Sequence, residues 1–332
     1  MDRAEDWTPG KILEASGYYW KTCTLHAAVK LGVFSIIGSY PRKVAEIADE
    51  IGSDYDATQR LLNAVCALGL LAKDEDGYIG TEAGMTYLDR SSPRYLGHMI
   101  LHHHHLVESW FQLDQSVLSG RPVRNRTAFS DDQRRESFLM GMFNNAMLLA
   151  PALVASVDLD RPGRFLDLGG GPGTYAIHFC RRYPEMSATV FDLPTTEPFA
   201  QETVAAFDLS DRIDFHPGNY LEDELPTGFD VAWLSHILHA EGPEACRRIL
   251  ERAGKSLAPG GRLFVHEFIL DDTRAEPLFP ALFSLNMLLG TEEGRAYSES
   301  ELRELMAGAG LKEIRRLPFR GPTDSGIMTG TV

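Results

Sequence analysis

The stretch RFLDLGGGPGTY places Gly169, Gly171 and Gly173 directly after an apolar run and ahead of the helical pattern TYAIHFCRRY. Glycines at a strand-to-helix turn let a ligand approach the backbone, and α/β sheets bind ligands at the carboxyl ends of their strands. Spacing decides which ligand. A dinucleotide loop, G-x-G-x-x-G, needs glycine where Thr174 stands, whereas the pattern here is D-x-G-x-G-x-G led by Asp167. A carboxylate entering the loop suits the α-ammonium of a methionine moiety better than a pyrophosphate. Asp192, closing the next apolar run in VFDLP, is placed to accept both hydroxyls of a ribose.

A second chemically capable stretch, LGHMILHHHHLVESWF, holds the consecutive histidines His102 to His105, with His98 upstream. It lies deep inside the chain and so belongs to the protein rather than to a tag. On a helix His98, His102 and His105 share a face, while His103 and His104 point elsewhere. Imidazoles one turn apart can bind zinc, but such a site wants a third or fourth ligand. Three readings stay open: polar contacts to a small molecule, helix packing with solvated histidines, and a functional metal. The first is favoured, and no metal is expected.

Two kinds of structure must position these residues. From Gly10 to about Thr86 the pattern is helical, with KTCTLHAAVKLGVFSII and KVAEIADEIG as segments. In ATQRLLNAVCALGLLAKDEDGYIGTEAG, Leu61, Leu62, Val65 and Leu68 recur at helical spacing, Gly69 stops the helix, and a hairpin turns at Asp76-Gly77. Short helices followed by a hairpin make a winged helix-turn-helix. Pro93 to Leu118 reads as one long amphipathic helix carrying the histidines, and roughly Gln133 to Ala150 as another. After Pro151 the runs RFLDLGG, ATVFDLP, RIDFHPGN, FDVAWLSHIL and GRLFVHEFIL alternate with helical or loop segments, which predicts a parallel sheet with helices on both faces. The final piece supplies two further strands joined at Gly321-Pro322. The expected divisions are 1–92, 93–150 and 151–332.

The 332 residues, 44% apolar and 24% charged, are ordinary globular composition. A net charge of −15 would repel a phosphate backbone or an anionic membrane surface, so neither nucleic acid nor membrane is an expected partner. Cys23, Cys66, Cys180 and Cys246 contain no C-x-x-C pair and read as reduced thiols. The start, MDRAEDWTPGK, has no apolar h-region, and LLNAVCALGLLA, taken as the longest apolar stretch, is too short to span a bilayer. A soluble cytoplasmic protein is expected.

Over essentially its whole length the chain resembles the S-adenosylmethionine-dependent O-methyltransferases of the plant caffeate and bacterial antibiotic or pigment type. The resemblance is carried by AAVKLGVF, LLNAVCALGLL, W-x-x-L-x-x-S-V-x-x-G at Trp110 to Gly120, LDLGGGPG, FDLP, ILH before an acidic helix start, and LAPGGRLFVHE. It implies a Rossmann-like seven-stranded sheet, mostly parallel with an antiparallel last strand. Ahead of it would stand an α-helical winged-helix domain that mediates homodimerisation and does not bind DNA. The cofactor implied is S-adenosyl-L-methionine, with S-adenosyl-L-homocysteine as product. Gly170 of the same loop, Leu193 beside Asp192, and Ser235 join the predicted cofactor contacts. The family's G-D-x-F turn contacts adenine; here it is Gly218-Asn219-Tyr220, an amide in place of the acid.

Methyl transfer to oxygen is an in-line displacement at a carbon activated by sulfonium, so the leaving group needs no acid but the nucleophile must lose a proton. A phenol of pKa about 10 can yield it to a histidine of about 6.5 if the proton leaves as the C–O bond forms. By resemblance His239, in SHILHAEG, matches the general base and Glu267, in FVHEF, the acid that orients it. The chain departs from ILHDW at Ala240 and Glu241, and Arg295 or Ala296 stands where a second glutamate is usual. His239 is thus left with one acidic partner. The resemblance lays the 93–150 helices over the catalytic domain, and the acceptor contacts predicted are His102, His105, Trp110, Phe143, Asn144, Phe283, Asn286 and Met287. Their size suggests a flat, largely apolar acceptor, such as an aromatic or polyketide-like metabolite or pigment precursor. Two rivals remain: an enzyme of this fold that keeps the cofactor but catalyses hydroxylation or a pericyclic step, and a winged-helix regulator. The second is poorly served by a recognition helix with Arg60 as its one base.

Overall fold

The structure, a computed structural model, describes residues 7–124, 132–159 and 162–332. The chain divides into two compact units, Met1–Leu106 with Glu136–Asn144, and Val107–Arg135 with Asn145–Val332.

The first unit begins with α1 (Pro9–Gly17), α2 (Tyr19–Lys30), α3 (Val33–Ile37), α4 (Val44–Ile51) and α5 (Tyr55–Ala67). The hairpin β1 (Leu71–Lys73) and β2 (Tyr78–Gly80) and then α6 (Glu82–Leu88) follow. The segment predicted as one helix around residue 30 is two, because Gly32 turns left-handed with φ +70°. Asp54 starts α5 by accepting from Ala57 N at 2.8 Å, a cap worth about 1 kcal/mol. Gly69, at φ +79°, follows its end as expected. Asp74 Oδ1 closes the hairpin turn by accepting from the N–H groups of Asp76 and Gly77. Leu62 and Val65 are fully buried with Ala28, Phe34, Ile47 and Tyr78, which gives this unit its own core.

Helices α7 (Gly97–Trp110) and α9 (Asp132–Ala155) each contribute residues to both units, so residues 93–150 form no compact unit of their own. The single helix expected from Pro93 to Leu118 begins at Gly97 and breaks after Trp110, before α8 (Leu113–Ser119). At the break Gln112 N bonds back three residues to Ser109 O, and its φ of −111° leaves the helical range. Helix α9 does not stop near Ala150 but continues through Pro151. Proline removes one ladder bond, yet Leu153 and Val154 beyond it are buried in the sheet unit's core and hold the last turn in place. Within residues 134–155 of α9 an 18-residue window reaches a mean hydropathy of 1.6, long and apolar enough to cross a membrane, which corrects the expectation that LLNAVCALGLLA is the longest apolar stretch.

The second unit continues as β3 (Arg164–Leu168), α10 (Thr174–Arg182), β4 (Ser187–Asp192), α11 (Glu197–Ala206), β5 (Ile213–Pro217) and β6 (Phe229–Ser235). It ends with α12 (Pro243–Ser256), β7 (Leu257–Leu270), α13 (Leu278–Gly290), β8 (Tyr297–Ser298), α14 (Glu299–Gly308), β9 (Lys312–Arg316) and β10 (Ser325–Thr331). The sheet order is β5-β4-β3-β6-β7-β10-β9, parallel from β5 to β7, with β10 antiparallel to both neighbours. The seven predicted strands are these, and the short β8 adds an eighth beside β7. Alternation along the strands feeds two cores. Phe165, Trp233 and Phe264 pack with α9 and α10, whereas Leu166, Leu234 and Val265 pack with α12 and α14. Strand order reverses between β3 and β6, and at such a point an open sheet leaves a crevice at its carboxyl edge.

Candidate active site

Strand β3 delivers the glycine loop to that edge. Gly169, Gly171 and Gly173 have φ of +67°, +54° and +82°, where glycine is strongly favoured. A Cβ on Gly169 would strike the Ile237 side chain, and one on Gly170 would lie 2.6 Å from Asp167 Cγ, so these two are glycine for packing. A Cβ on Gly171 would meet open space. That open backbone face is where a ligand can approach. Asp192 braces it: Oδ2 accepts from Gly171 N at 2.8 Å, and Oδ1 accepts from Leu193 N at 2.7 Å and from Thr196 Oγ1 at 3.1 Å. A carboxylate has about four acceptor positions, so Asp192 retains capacity for a hydroxyl donor. Loop and acid together fit a ribose-bearing cofactor.

Asp167 is fully buried; Oδ2 accepts from Ala176 N at 3.1 Å near the start of α10, and Oδ1 has no partner among the described residues. The Ala176 bond ties the loop to the helix. Burial pushes the Asp167 pKa up to about 7, opposed by the Ala176 N–H and aided by the negative charge of Asp192. A carboxyl raised on folding leaves the folded state binding the extra proton between about pH 4 and 7, so its contribution falls as pH rises through that window. Asp167→Asn should remove this loss. The melting temperature of the variant relative to wild type is expected to climb from pH 4 to 8, and a flat difference would show that Asp167 titrates normally.

The remaining predicted cofactor residues are placed along the same edge. Leu193 is half exposed beyond β4. A Cβ at Gly218 would enter the Phe191 ring. Asn219 is engaged in its own turn, with Oδ1 accepting from Leu221 N at 3.0 Å, and Tyr220 OH reaches Glu241 Oε1 at 3.4 Å. Ser235 Oγ pairs with Nδ1 of the buried His266 at 2.9 Å.

Strand β6 ends at Ser235, and the chain then turns through His236, at φ +58°, into a short 3-10 turn, Leu238–Ala240, that carries His239. The parallel neighbour β7 presents Glu267, one residue beyond the Ser235–His266 register pair. Glu267 Oε2 lies 2.8 Å from His239 Nδ1, and Oε1 accepts from His239 N at 3.2 Å. Burial alone would push the Glu267 carboxyl up, but His239 and His236 beside it outweigh that and hold it well below the usual carboxylate range. An ionised, buried acceptor at Nδ1 fixes the proton there and leaves Nε2 as the basic nitrogen. The His239 ring meets Phe283 of α13 edge-on, at 4.7 Å and 80°.

His236 was not foreseen as part of this cluster. Its Nδ1 lies 3.6 Å from Glu267 Oε2, beyond hydrogen-bond length, while its ring packs on Phe268 at 4.2 Å and His266 at 4.4 Å. The three-residue spacing in SHILH was visible, but the left-handed backbone that turns His236 inward was not. Among the described residues, His236, His239 and Glu267 are the group with three potential metal-ligand atoms mutually within 4.8 Å; the histidine run forms no such group.

The predicted acceptor residues divide between the units. In the first, His102 packs 5.2 Å from Phe138, and His105 5.6 Å from His104. His104 turns toward α2, with Nε2 3.2 Å from Lys30 Nζ and its ring against His26. Burial, with His104 and His103 beside it, lowers the His26 pKa to about 4. Phe143 and Asn144 are half-buried, and Asn144 Oδ1 has no partner among the described residues. In the second unit Trp110 is half-buried, Phe283 touches His239, and Asn286 and Met287 follow Phe283 on the next turn of α13.

Sheet and loop define an α/β enzyme with a cleft for a ribose-bearing cofactor. Known proteins narrow that class. Residues 115–312 match the O-methyltransferase domain family and residues 13–90 the O-methyltransferase dimerisation domain. The chain is 34% identical to 3-hydroxy-5-methyl-1-naphthoate 3-O-methyltransferase of Streptomyces sahachiroi, over 97% of this chain and 95% of that protein. It is 32% identical to the tetracenomycin polyketide synthesis 8-O-methyl transferase TcmO of Streptomyces glaucescens, over 95% and 94%. Human N-acetylserotonin methyltransferase in complex with S-adenosylmethionine superposes with a TM-score of 0.87 at 26% identity, covering 99% of both chains. The protein belongs to the S-adenosylmethionine-dependent O-methyltransferase family.

Proposed function

We propose that the protein methylates a hydroxyl of a small aromatic or polyketide-like acceptor, with His239 as general base and Glu267 as the residue that orients it. The 2.8 Å pairing of His239 Nδ1 with a buried, ionised Glu267 carries this reading. S-adenosyl-L-methionine, when bound, supplies a methyl carbon made electrophilic by its sulfonium. The protein's task is then to take the acceptor's proton. Nε2 of His239 receives it as the oxygen forms its new bond, and Glu267 stabilises the resulting imidazolium across Nδ1. The open face of Gly171 and the free acceptor capacity of Asp192 support a cofactor seat there, with Gly169, Gly170 and Gly173 shaping the loop. Leu193, Gly218, Asn219, Tyr220 and Ser235 complete that seat, and Asp167 supports it from below.

The acceptor wall includes Phe283, Asn286 and Met287, with Trp110 of the same unit as a further contact. The relatives' substrates, a hydroxynaphthoate among them, support an aromatic hydroxyl as the methylated group. Homodimerisation through the N-terminal domain is supported by its dimerisation-domain match and by exposed Trp7, Leu13, Tyr19 and Trp20, apolar surface of the kind that marks interfaces. Free thiols at Cys23, Cys66, Cys180 and Cys246 support a reducing, cytoplasmic setting.

A panel of hydroxyarenes incubated with S-adenosylmethionine should yield S-adenosylhomocysteine and the O-methyl ether in equal amounts. Asp192→Ala, which removes a charged acceptor, should weaken S-adenosylhomocysteine binding by about 10- to 100-fold in calorimetry. Methylation of amines in preference to every hydroxyl would overturn the proposed reaction.

A further inference from the structure

Arg124 stands out in a chain with 47 acidic and 32 basic residues. Arg42, Arg182, Arg274, Arg303 and Arg316 each pair with a carboxylate. Arg124 has no such pairing among the described residues: its Nη1 is buried without a partner, and burial lowers its pKa with no neighbouring acid in opposition. Arg124 is half-buried, and an enclosed guanidinium nitrogen without a counter-charge is costly unless a ligand answers it.

Its placement indicates what that is. Arg124 N donates to Leu289 O at 2.9 Å, and the guanidinium lies directly against Gly290, where a Cβ would collide with it. Positions 283, 286, 287 and 290 share one face of α13. At one end of that face Phe283 touches His239. Asn286, between the ends, has a buried Oδ1 that is also without a partner among the described residues. From Phe283 to Gly290 the helix rises about 10 Å, the span of a two-ring aromatic with a substituent at each end.

We infer that Arg124 binds a carboxylate of the acceptor, at the far end of the α13 face from the hydroxyl presented to His239, so that the substrate is a hydroxyarenecarboxylate of about two fused rings. This rests on the reading of His239 as the base. A planar guanidinium meets a carboxylate with two parallel hydrogen bonds, which lysine cannot reproduce. Gly290 is the residue that admits the guanidinium to this position, and Asn286 Oδ1 offers an acceptor to a donor on the ring.

The test compares 6-hydroxy-2-naphthoate with 2-naphthol, by calorimetry on the full chain with S-adenosylhomocysteine present and by turnover with S-adenosylmethionine. The wild-type protein should bind the naphthoate about 10- to 100-fold more tightly. Arg124→Met should collapse that ratio to within about twofold. Gly290→Ala, which displaces the guanidinium but keeps its charge, should reduce it as well. Retained S-adenosylhomocysteine binding reports that each variant is folded. Equal binding of the two probes by the wild type, or a ratio that survives Arg124→Met, overturns the inference. Calorimetry judges Arg124 and product formation judges the base, so either can fail without the other.

Discussion

His239→Ala lowers turnover by about 100- to 10,000-fold while S-adenosylhomocysteine binds as before. The expected size follows from the chemistry, since a phenol at neutral pH is almost wholly protonated and its oxygen is a poor nucleophile until that proton has somewhere to go. With Nδ1 committed to Glu267 at 2.8 Å, Nε2 is the nitrogen that can receive it. Alanine removes the base and leaves the glycine loop and Asp192 untouched, so the loss should appear in kcat with little change in cofactor affinity. The check is single-turnover kinetics across pH: the variant should recover part of its rate as pH approaches the phenol's own pKa, where the acceptor ionises unaided. A variant with wild-type turnover at neutral pH would leave proximity as the main source of rate and remove His239 from the mechanism.

Glu267→Gln should be nearly as damaging, at about 100- to 10,000-fold, although Glu267 acts through His239. The amide can turn its N–H toward Nδ1, which moves the imidazole proton to Nε2 and presents the acceptor with a donor where it needs a base. The amide also leaves an imidazolium without its counter-charge in a site where Glu267 is 2% exposed. A pH dependence separates this from general destabilisation. The Glu267 carboxyl is held below the usual range in the folded protein, so its contribution to stability is present above the ordinary carboxylate pKa and is lost as pH falls through the folded value. The melting temperature of wild type should therefore exceed that of the variant at neutral pH, and the gap should narrow on acidification. A gap independent of pH, or a fully active variant, would mean that Glu267 neither carries the charge nor orients the base.

Features with short-range physical signatures were legible in the sequence. Asp76-Gly77 marks a hairpin turn because its φ requirements are local, and the glycine loop after β3 is recognisable because three closely spaced left-handed positions strongly favour glycine. Strands β3, β4, β6 and β7 announce themselves as apolar runs since the interior of a parallel sheet buries both faces, whereas the edge strand β5 is mostly exposed. Features decided by tertiary surroundings were not legible. The break at Gln112 contains neither proline nor glycine, and Pro151 fails to end α9 because burial of Leu153 and Val154 overrides the local preference. Strand β8 is too short to show alternation. At the site, His239 and Glu267 could be named because their motif was familiar. The inward carboxylate of Asp167, the left-handed turn at His236 and the Arg124 Nη1 that lacks a partner among the described residues each depend on residues distant in sequence.

His239 and Glu267 hang from the ends of adjacent parallel strands at the middle of the sheet, whereas Phe283, Asn286 and Gly290 belong to a helix. Glu267 is held by the ladder that keeps Trp233 and Phe264 buried, and His239, on the short turn just beyond β6, is tied to it through both its ring and its backbone N–H. Beyond Phe283, which touches the His239 ring, the helix face makes no ring contact or hydrogen bond with the proton-transfer pair among the described residues, so substitutions at positions such as Asn286 can change recognition while leaving that pair in place. A scaffold divided in this way can change what it recognises over evolutionary time while conserving what it does, and a laboratory seeking a new acceptor would randomise α13 and leave β6 and β7 alone.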